Sequence, residues 1–239
     1  MQKPLVVVFT GTTVPLVRER FGDFDAHFRA GIGEAWKGPW ATVDARDEST
    51  PLPKIDDVAG LIVTGSSSSV TERAPWMLRL EAYLRDAVQN DAAILGVCFG
   101  HQLLGQALGG EVRQNPRGRH IGSLQVRQVG DPDPLFEGVP ATFEVNVSHR
   151  DHVGVAPPNV RPLVTADHDE LHAFAVGSRT RAVQFHPEFH AEIMRGYITQ
   201  RRELLRSEGL DPDALHRAVV EPPHARTILQ NFVRHFVRT

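Results

Sequence analysis

The stretch Ala93-Ile94-Leu95-Gly96-Val97-Cys98-Phe99-Gly100-His101-Gln102-Leu103-Leu104 constrains the fold more than any other part of this chain. An apolar strand runs into Cys98 and a helix runs out of it. Leu103, Leu104, Ala107 and Leu108 mark the core face of that helix, and Gly109-Gly110 supplies its stop. Gly96 and Gly100 flank the cysteine, as a crowded strand-to-helix turn requires. A helix N-terminus beside the sulfur favours the thiolate, the reactive form. The N–H of Phe99 is placed to donate to an oxyanion. Gln102 lies one turn along on the same face. Cys98 is the chain's single cysteine, so no intrachain disulfide is possible. A lone cysteine can also be a small buried hydrophobe, but the strand–turn–helix context favours a nucleophile.

A nucleophilic thiol needs a base, and Arg181-Ala182-Val183-Gln184-Phe185-His186-Pro187-Glu188 offers one. Pro187 biases His186 toward extended geometry. Residues two apart in an extended segment point the same way, so Glu188 can orient and charge-stabilise the imidazole. Cys98, His186 and Glu188 then have the logic of a Cys-His-Glu triad. The alternative is a histidine and a loop acid with no shared task.

Around these motifs, strand-like runs occur at Leu5–Phe9, Leu61–Thr64, Ala93–Val97, Phe143–Val147, Leu171–Val176 and Ala182–Phe185. Pro75–Val88 carries apolar residues at helical spacing. Alternating strand and helix predicts an α/β domain, a mostly parallel open sheet with helices on both faces. Ile121–Val129 alternates polar and apolar residues, which predicts an antiparallel edge strand. Beyond Phe189 the character changes: His190–Ser207, Asp211–Val220 and Ala225–Arg238 read as helices. The expectation is a single domain over 1–239, with 190–239 a helical extension packed on it. The apolar positions Ile193, Tyr197, Leu204, Leu205, Leu229 and Phe232 are expected to face the core.

The chain has 239 residues and a formal net charge of −3, which gives no electrostatic case for nucleic acid or an anionic membrane. The apolar run at Leu5–Phe9 is too short for a membrane span or a signal-peptide core. A cytoplasmic location is expected. Arg195, Arg201, Arg202 and Arg206 make a basic tail, but interleaved Glu192, Glu203 and Glu208 predict a solvated helix face.

The two motifs, Gly96-Val97-Cys98-Phe99-Gly100-His101-Gln102 and Phe185-His186-Pro187-Glu188, in that order and at that separation, resemble class I (triad) glutamine amidotransferases. The match looks closest to stand-alone members similar to the amidotransferase half of GMP synthase. The resemblance implies a flavodoxin-like sheet with Cys98, His186 and Glu188 as the catalytic residues. It implies an oxyanion hole from Phe99 and from Gly65, in the loop Thr64-Gly65-Ser66-Ser67-Ser68-Ser69-Val70. Ser66, Gln102 and the segment Ser148-His149-Arg150-Asp151 are implied to hold the ends of glutamine.

The reaction implied is release of ammonia from the glutamine side chain, with a synthetase or other acceptor as possible partner. No G-x-x-x-x-G-K loop and no Ser-Gly-Gly-x-Asp-Ser loop is present, so ATP-dependent synthesis is not expected of this chain alone. A γ-glutamyl peptide hydrolase could use the same triad, because only the leaving amine differs. A non-catalytic glutamine-binding regulatory subunit is the reading of another class; it gives no chemical reason for all three triad residues. No organic cofactor and no metal is expected. His149, His152, His168 and His172 invite a zinc reading, but they lack partner cysteines and recognised ligand spacing.

Overall fold

The computed structural model describes residues 2–167 and 169–238. His168 lies outside them. Five short strands run parallel: β1 (Leu5–Phe9), β2 (Trp40–Asp44), β3 (Gly60–Val63), β4 (Ile94–Val97) and β11 (Thr180–Val183), in the order β2-β1-β3-β4-β11. Beyond β11 the same sheet continues antiparallel through β10 (Asp169–Val176), β9 (Arg161–Ala166), β6 (His120–Gln128) and β7 (Thr142–His149). A separate two-stranded ladder pairs β5 (Glu111–Gln114) with β8 (Asp151–Val155).

Strand alternation sorts the core into two layers. Leu5 and Val7 of β1 face one layer with Leu95 and Val97 of β4. Val6 and Val8 face the other, with Leu61 and Val63 of β3. The first layer holds α2 (Phe24–Ile32), through Phe24, Phe28 and Ile32. The same layer holds α5 (Ala191–Gln200) and α8 (Ala225–Phe236), through Ile193, Tyr197, Leu229 and Phe232. The second layer holds α3 (Pro75–Gln89) and α4 (Phe99–Ala107), through Met77, Leu80, Leu84, Leu103 and Leu104. Helices therefore cover both faces, and the C-terminal helices form much of one cover. A Cβ on Gly196 of α5 would collide with Val17 of α1 (Pro15–Phe21), so these two helices need a glycine at their crossing.

Several expectations need adjustment. Ile121–Val129 is close to β6, but β6 lies between β9 and β7 rather than at an edge. Its alternation reports one covered face, and an interior antiparallel strand shows that pattern as well as an edge strand does. The helical stretch expected at His190–Ser207 breaks at Arg201 into α5 and α6 (Arg202–Ser207). A third short helix, α7 (Pro212–Ala218), follows. Of the six apolar positions expected in the core, Leu204 is 42% exposed and the other five are buried.

Candidate active site

Cys98 sits at the carboxyl end of β4, the end at which open α/β sheets place their sites. Its φ is 53° and ψ −101°, a left-handed conformation that costs a non-glycine residue free energy. Neighbouring contacts hold it there. Cys98 N–H donates to the Val183 carbonyl at 2.9 Å, and Gly100 N–H to the Thr64 carbonyl at 3.2 Å. A Cβ on Gly100 would strike the Val63 carbonyl, and one on Gly96 would lie 2.8 Å from the Gly100 carbonyl. The two glycines are thus what lets the helix start immediately after the thiol. Phe99, in the first turn of α4, has an N–H without an intrahelical acceptor.

β11 leads to His186. His186 N–H donates to the Asn146 carbonyl at 2.9 Å, which fixes the backbone, and His186 Nδ1 lies 2.8 Å from Glu188 Oε1. The imidazole lies close enough to Cys98 for the sulfur to favour its charged form. Its ring is stacked on Phe189 at 4.0 Å between centroids and lies parallel to Phe24 at 6.5 Å. Burial works against the charged imidazole. Attraction to Glu188, then to Cys98, and the hydrogen bond to Glu188 outweigh it, pushing the pKa up to about 10. Glu188 is 5% exposed, and its Oε2 is buried without a hydrogen-bond partner among the described residues.

Gly65 lies against this pair; a Cβ there would come 2.9 Å from His186 Cε1. Beside the thiol opens a cavity of about 180 Å³ lined by Ser66, Phe99, Gln102, Ser148, His149, Arg150 and Asp151 together with Cys98. Cys98 Sγ is 4.0 Å from the Ser148 carbonyl oxygen. The residues that sequence reasoning assigned to substrate therefore share one wall. They are braced by one another. Gln102 donates through Nε2 to the Asp151 carbonyl at 2.7 Å and to Gln184 Oε1 at 3.1 Å, and Ser69 donates to the Asp151 carboxylate. Ser66 Oγ accepts from Ser68 N–H at 3.1 Å.

The structure adds residues that the sequence did not single out. Arg201, at the break between α5 and α6, lines the same cavity as Cys98. It donates through Nη1 to Ser148 Oγ at 2.7 Å and lies over the Tyr197 ring at 5.1 Å. No carboxylate forms a salt bridge with it among the described residues. This corrects the expectation of a solvated basic face: Arg195 pairs with Glu192 and Arg202 with Asp213 on the surface, but Arg201 turns inward. Arg119 also lines the cavity and pairs with Glu208 at 2.7 Å; Arg150 lies 3.8 Å from the same carboxylate. Only the charge of these residues was visible in the sequence, not the break in the helix that aims Arg201.

Among the described residues no helix is long and apolar enough to cross a membrane.

Residues 39–202 match the sequence model of the family described as "Glutamine amidotransferase class-I". The chain is 33% identical over 158 residues to a GMP synthase (glutamine-hydrolyzing) subunit of Archaeoglobus fulgidus, covering 64% of this chain and 81% of that protein. It is 24% identical over 242 residues to gamma-glutamyl peptidase 5 of Arabidopsis thaliana, covering 98% of this chain and 96% of that one. In fold it is similar to the crystal structure of a glutamine amido transferase from Methylobacillus flagellatus. That match has a TM-score of 0.77 at 24% identity, over 99% of this chain and 94% of the other.

Proposed function

Because the chain belongs to the class-I glutamine amidotransferases, we propose that it hydrolyses a γ-glutamyl amide through a thioester on Cys98. The simplest substrate is the glutamine side chain, giving glutamate and ammonia. One observation carries this reading: Cys98, on its strained turn, lies beside an imidazole that Glu188 holds through Nδ1 at 2.8 Å.

The chemistry follows from the charges. An imidazolium at His186 pairs with a thiolate at Cys98, so the nucleophile exists before substrate arrives. The sulfur attacks the γ-carbonyl carbon. The oxyanion accepts from the N–H of Phe99 and from the Gly65 loop. As the tetrahedral adduct collapses, His186 gives its proton to the departing amine, leaving a thioester. Neutral His186 then takes a proton from water, and the hydroxide attacks the thioester. Collapse expels the thiolate and leaves the γ-carboxylic acid, which loses its proton to solvent or to the released amine; the imidazolium formed when His186 took the water proton remains for the next cycle. Glu188 holds the ring throughout.

A second reading has its own support. The γ-glutamyl peptidase relative matches nearly the whole chain, including the C-terminal helices, whereas the GMP synthase subunit matches 64% of it. Those helices supply Arg201, a cation without a carboxylate partner in the cavity wall. A second cavity shares Arg119 and Arg150 with the first, so the cleft continues past the Cys98 cavity. A γ-glutamyl peptide, with carboxylates at both ends, suits such a cleft. Transfer of ammonia to a synthetase partner is the alternative fate of the amine, in keeping with the GMP synthase subunit relative.

The test is amine release by the purified chain from glutamine and from a panel of γ-glutamyl peptides, beside Cys98→Ser. Release that disappears in the variant supports the mechanism, and the preferred donor decides between the two substrates. Equal activity in Cys98→Ser and the parent chain would refute thiol catalysis. Release from glutamine only after a cell fraction is added points to a synthetase partner.

A further inference from the structure

Behind the wall of the Cys98 cavity, His149 at the end of β7 and Asp169 and His172 of β10 come together. One ligand atom from each lies within 4.8 Å of the others. All three are buried: His149 is 4% exposed, Asp169 1% and His172 0%. We infer that these residues form a binding site for a divalent transition-metal ion of the zinc type. The inference does not depend on which amide the enzyme cleaves.

The hydrogen bonds, and the atoms left without them, carry the argument. His149 Nδ1 lies 2.9 Å from the Asp151 carbonyl oxygen. A carbonyl only accepts, so the proton sits on Nδ1 and Nε2 presents a lone pair. That Nε2 is buried with no hydrogen-bond partner. His172 Nδ1 lies 3.2 Å from Asp169 Oδ2, which leaves His172 Nε2 and Asp169 Oδ1, both also buried and without a hydrogen bond among the described residues. Buried polar atoms are nearly always satisfied. Here three orphans, two of them imidazole nitrogens and one a carboxylate oxygen, occur in one cluster. A metal ion can take up lone pairs from all three residues together where their ligand atoms converge, whereas a water molecule has only two protons to give.

The arrangement has the other features of a metal centre. A backbone carbonyl orients one histidine through its far nitrogen, which is how ligating histidines are usually held. Two imidazoles and a carboxylate favour zinc or cobalt over calcium or magnesium. His152 of β8, with Nδ1 3.9 Å from Asp169 Oδ1, helps to position that carboxylate. His152 also borders an open cavity with Asp167 and Glu170 on its rim, a route by which an ion can enter. The site would act as a brace. His149 is flanked by Ser148, whose carbonyl faces Cys98, and by Arg150 and Asp151 of the cavity wall. The residues come from β7, β10 and β8, and none of their sequence spacings resembles a metal motif.

The experiment uses the full-length, untagged Cys98→Ser chain, so that the thiol cannot bind the metal. The protein is stripped with a chelator, dialysed and titrated with zinc chloride against a chromogenic competitor. Cobalt chloride is used in parallel and read by its visible absorption. One equivalent of zinc, a cobalt spectrum of four- or five-coordinate nitrogen and oxygen ligation, and a raised unfolding midpoint with zinc are expected. His172→Gln and the near-isosteric Asp169→Asn should each weaken zinc binding at least tenfold and abolish the midpoint shift. Failure of the Cys98→Ser chain to bind an equivalent of either metal overturns the inference. So does undiminished binding in whichever of the two variants folds, judged by far-ultraviolet circular dichroism. If neither variant folds, a cobalt spectrum lacking imidazole ligation overturns it and one showing imidazole ligation sustains it.

Discussion

Arg201 Nη1 donates to Ser148 Oγ at 2.7 Å, and this bond ties the C-terminal helices to the wall of the Cys98 cavity. The guanidinium is held over Tyr197, and burial lowers its pKa; arginine side chains nonetheless stay charged in proteins. A cation in that position, with no carboxylate ion-paired to it among the described residues, is suited to an anionic group on the ligand. Under the proposed function, Arg201→Gln should lower kcat/KM for a γ-glutamyl donor by about 10- to 100-fold, mainly through KM. The loss should shrink for a donor whose α-carboxylate is converted to an amide. Steady-state kinetics on the acid and amide pair checks this. An equal loss on both would mean that Arg201 only packs.

Under the proposed function, Gly65→Ala tests how closely the loop that holds the oxyanion must approach His186. The new methyl would stand 2.9 Å from His186 Cε1 and 3.4 Å from Phe24 Cζ. His186 is stacked on Phe189 and cannot retreat without breaking its bond to Glu188. Misplacement of reacting groups by about 1 Å costs on the order of 100-fold in rate. The expected result is a fall of that order in kcat with little change in KM. Wild-type kcat in Gly65→Ala would place the loop away from the reaction.

Glu188→Gln should reduce kcat less than His186→Ala does. The first leaves a base that is poorly oriented and less willing to hold its proton; the second removes the base. Single-turnover acylation rates of both variants, measured with the same donor, give the comparison. The opposite order would mean that the carboxylate does more than hold the ring.

How much of this was readable in the sequence depends on how local each signal is. The cysteine elbow needs only a strand, two glycines and a helix in one stretch, so Gly96, Cys98 and Gly100 were legible. His186 and Glu188 were legible because both stand in one short stretch, but they meet through a turn, in which Phe189 N–H donates to the His186 carbonyl at 3.2 Å, and not through the extended geometry expected of Pro187. Strands β2, β5, β8 and β9 were not singled out. β9 has Pro162 within it, which hides the pattern, and β5 buries only Val112 of its four residues. Arg201 read as one more surface charge, because its direction is set by a break between two helices. The cluster of His149, Asp169 and His172 is assembled across antiparallel strands. No spacing along the chain could report it.

The C-terminal helix also ends on a buried charge network, which makes a stability prediction. Arg181, 4% exposed, bonds Asp133 through Nε at 2.9 Å and 3.0 Å and lies under the Phe236 ring at 4.4 Å. Arg161 donates to the same carboxylate from its exposed side. Asp133 is 5% exposed and also accepts from Leu135 N–H. Asp133→Ala strands a buried guanidinium, so a loss of about 3–5 kcal/mol is expected. Arg161→Ala should cost about 1 kcal/mol or less, since its charge is solvated. Urea unfolding of the two variants measures both; similar values for the two would deny the network its importance.

The last prediction concerns pH and stability. His186 titrates near 10 in the folded chain and near its ordinary 6.5 when unfolded. Between those values the folded state keeps a proton that the unfolded state releases, so stability falls as pH rises. The contribution is complete below about 6.5 and gone above about 10. The comparison is made in a Cys98→Ser background, where Glu188 still raises the imidazole pKa and no thiol titrates beside it; His186→Gln then removes the imidazole. The stability difference between Cys98→Ser and the double variant Cys98→Ser/His186→Gln should be largest at pH 6 and should fall toward pH 10. Urea midpoints and slopes at pH 6, 8 and 10 give that difference directly. A difference that stays constant, or grows toward pH 10, would mean that Glu188 does not hold the imidazole protonated.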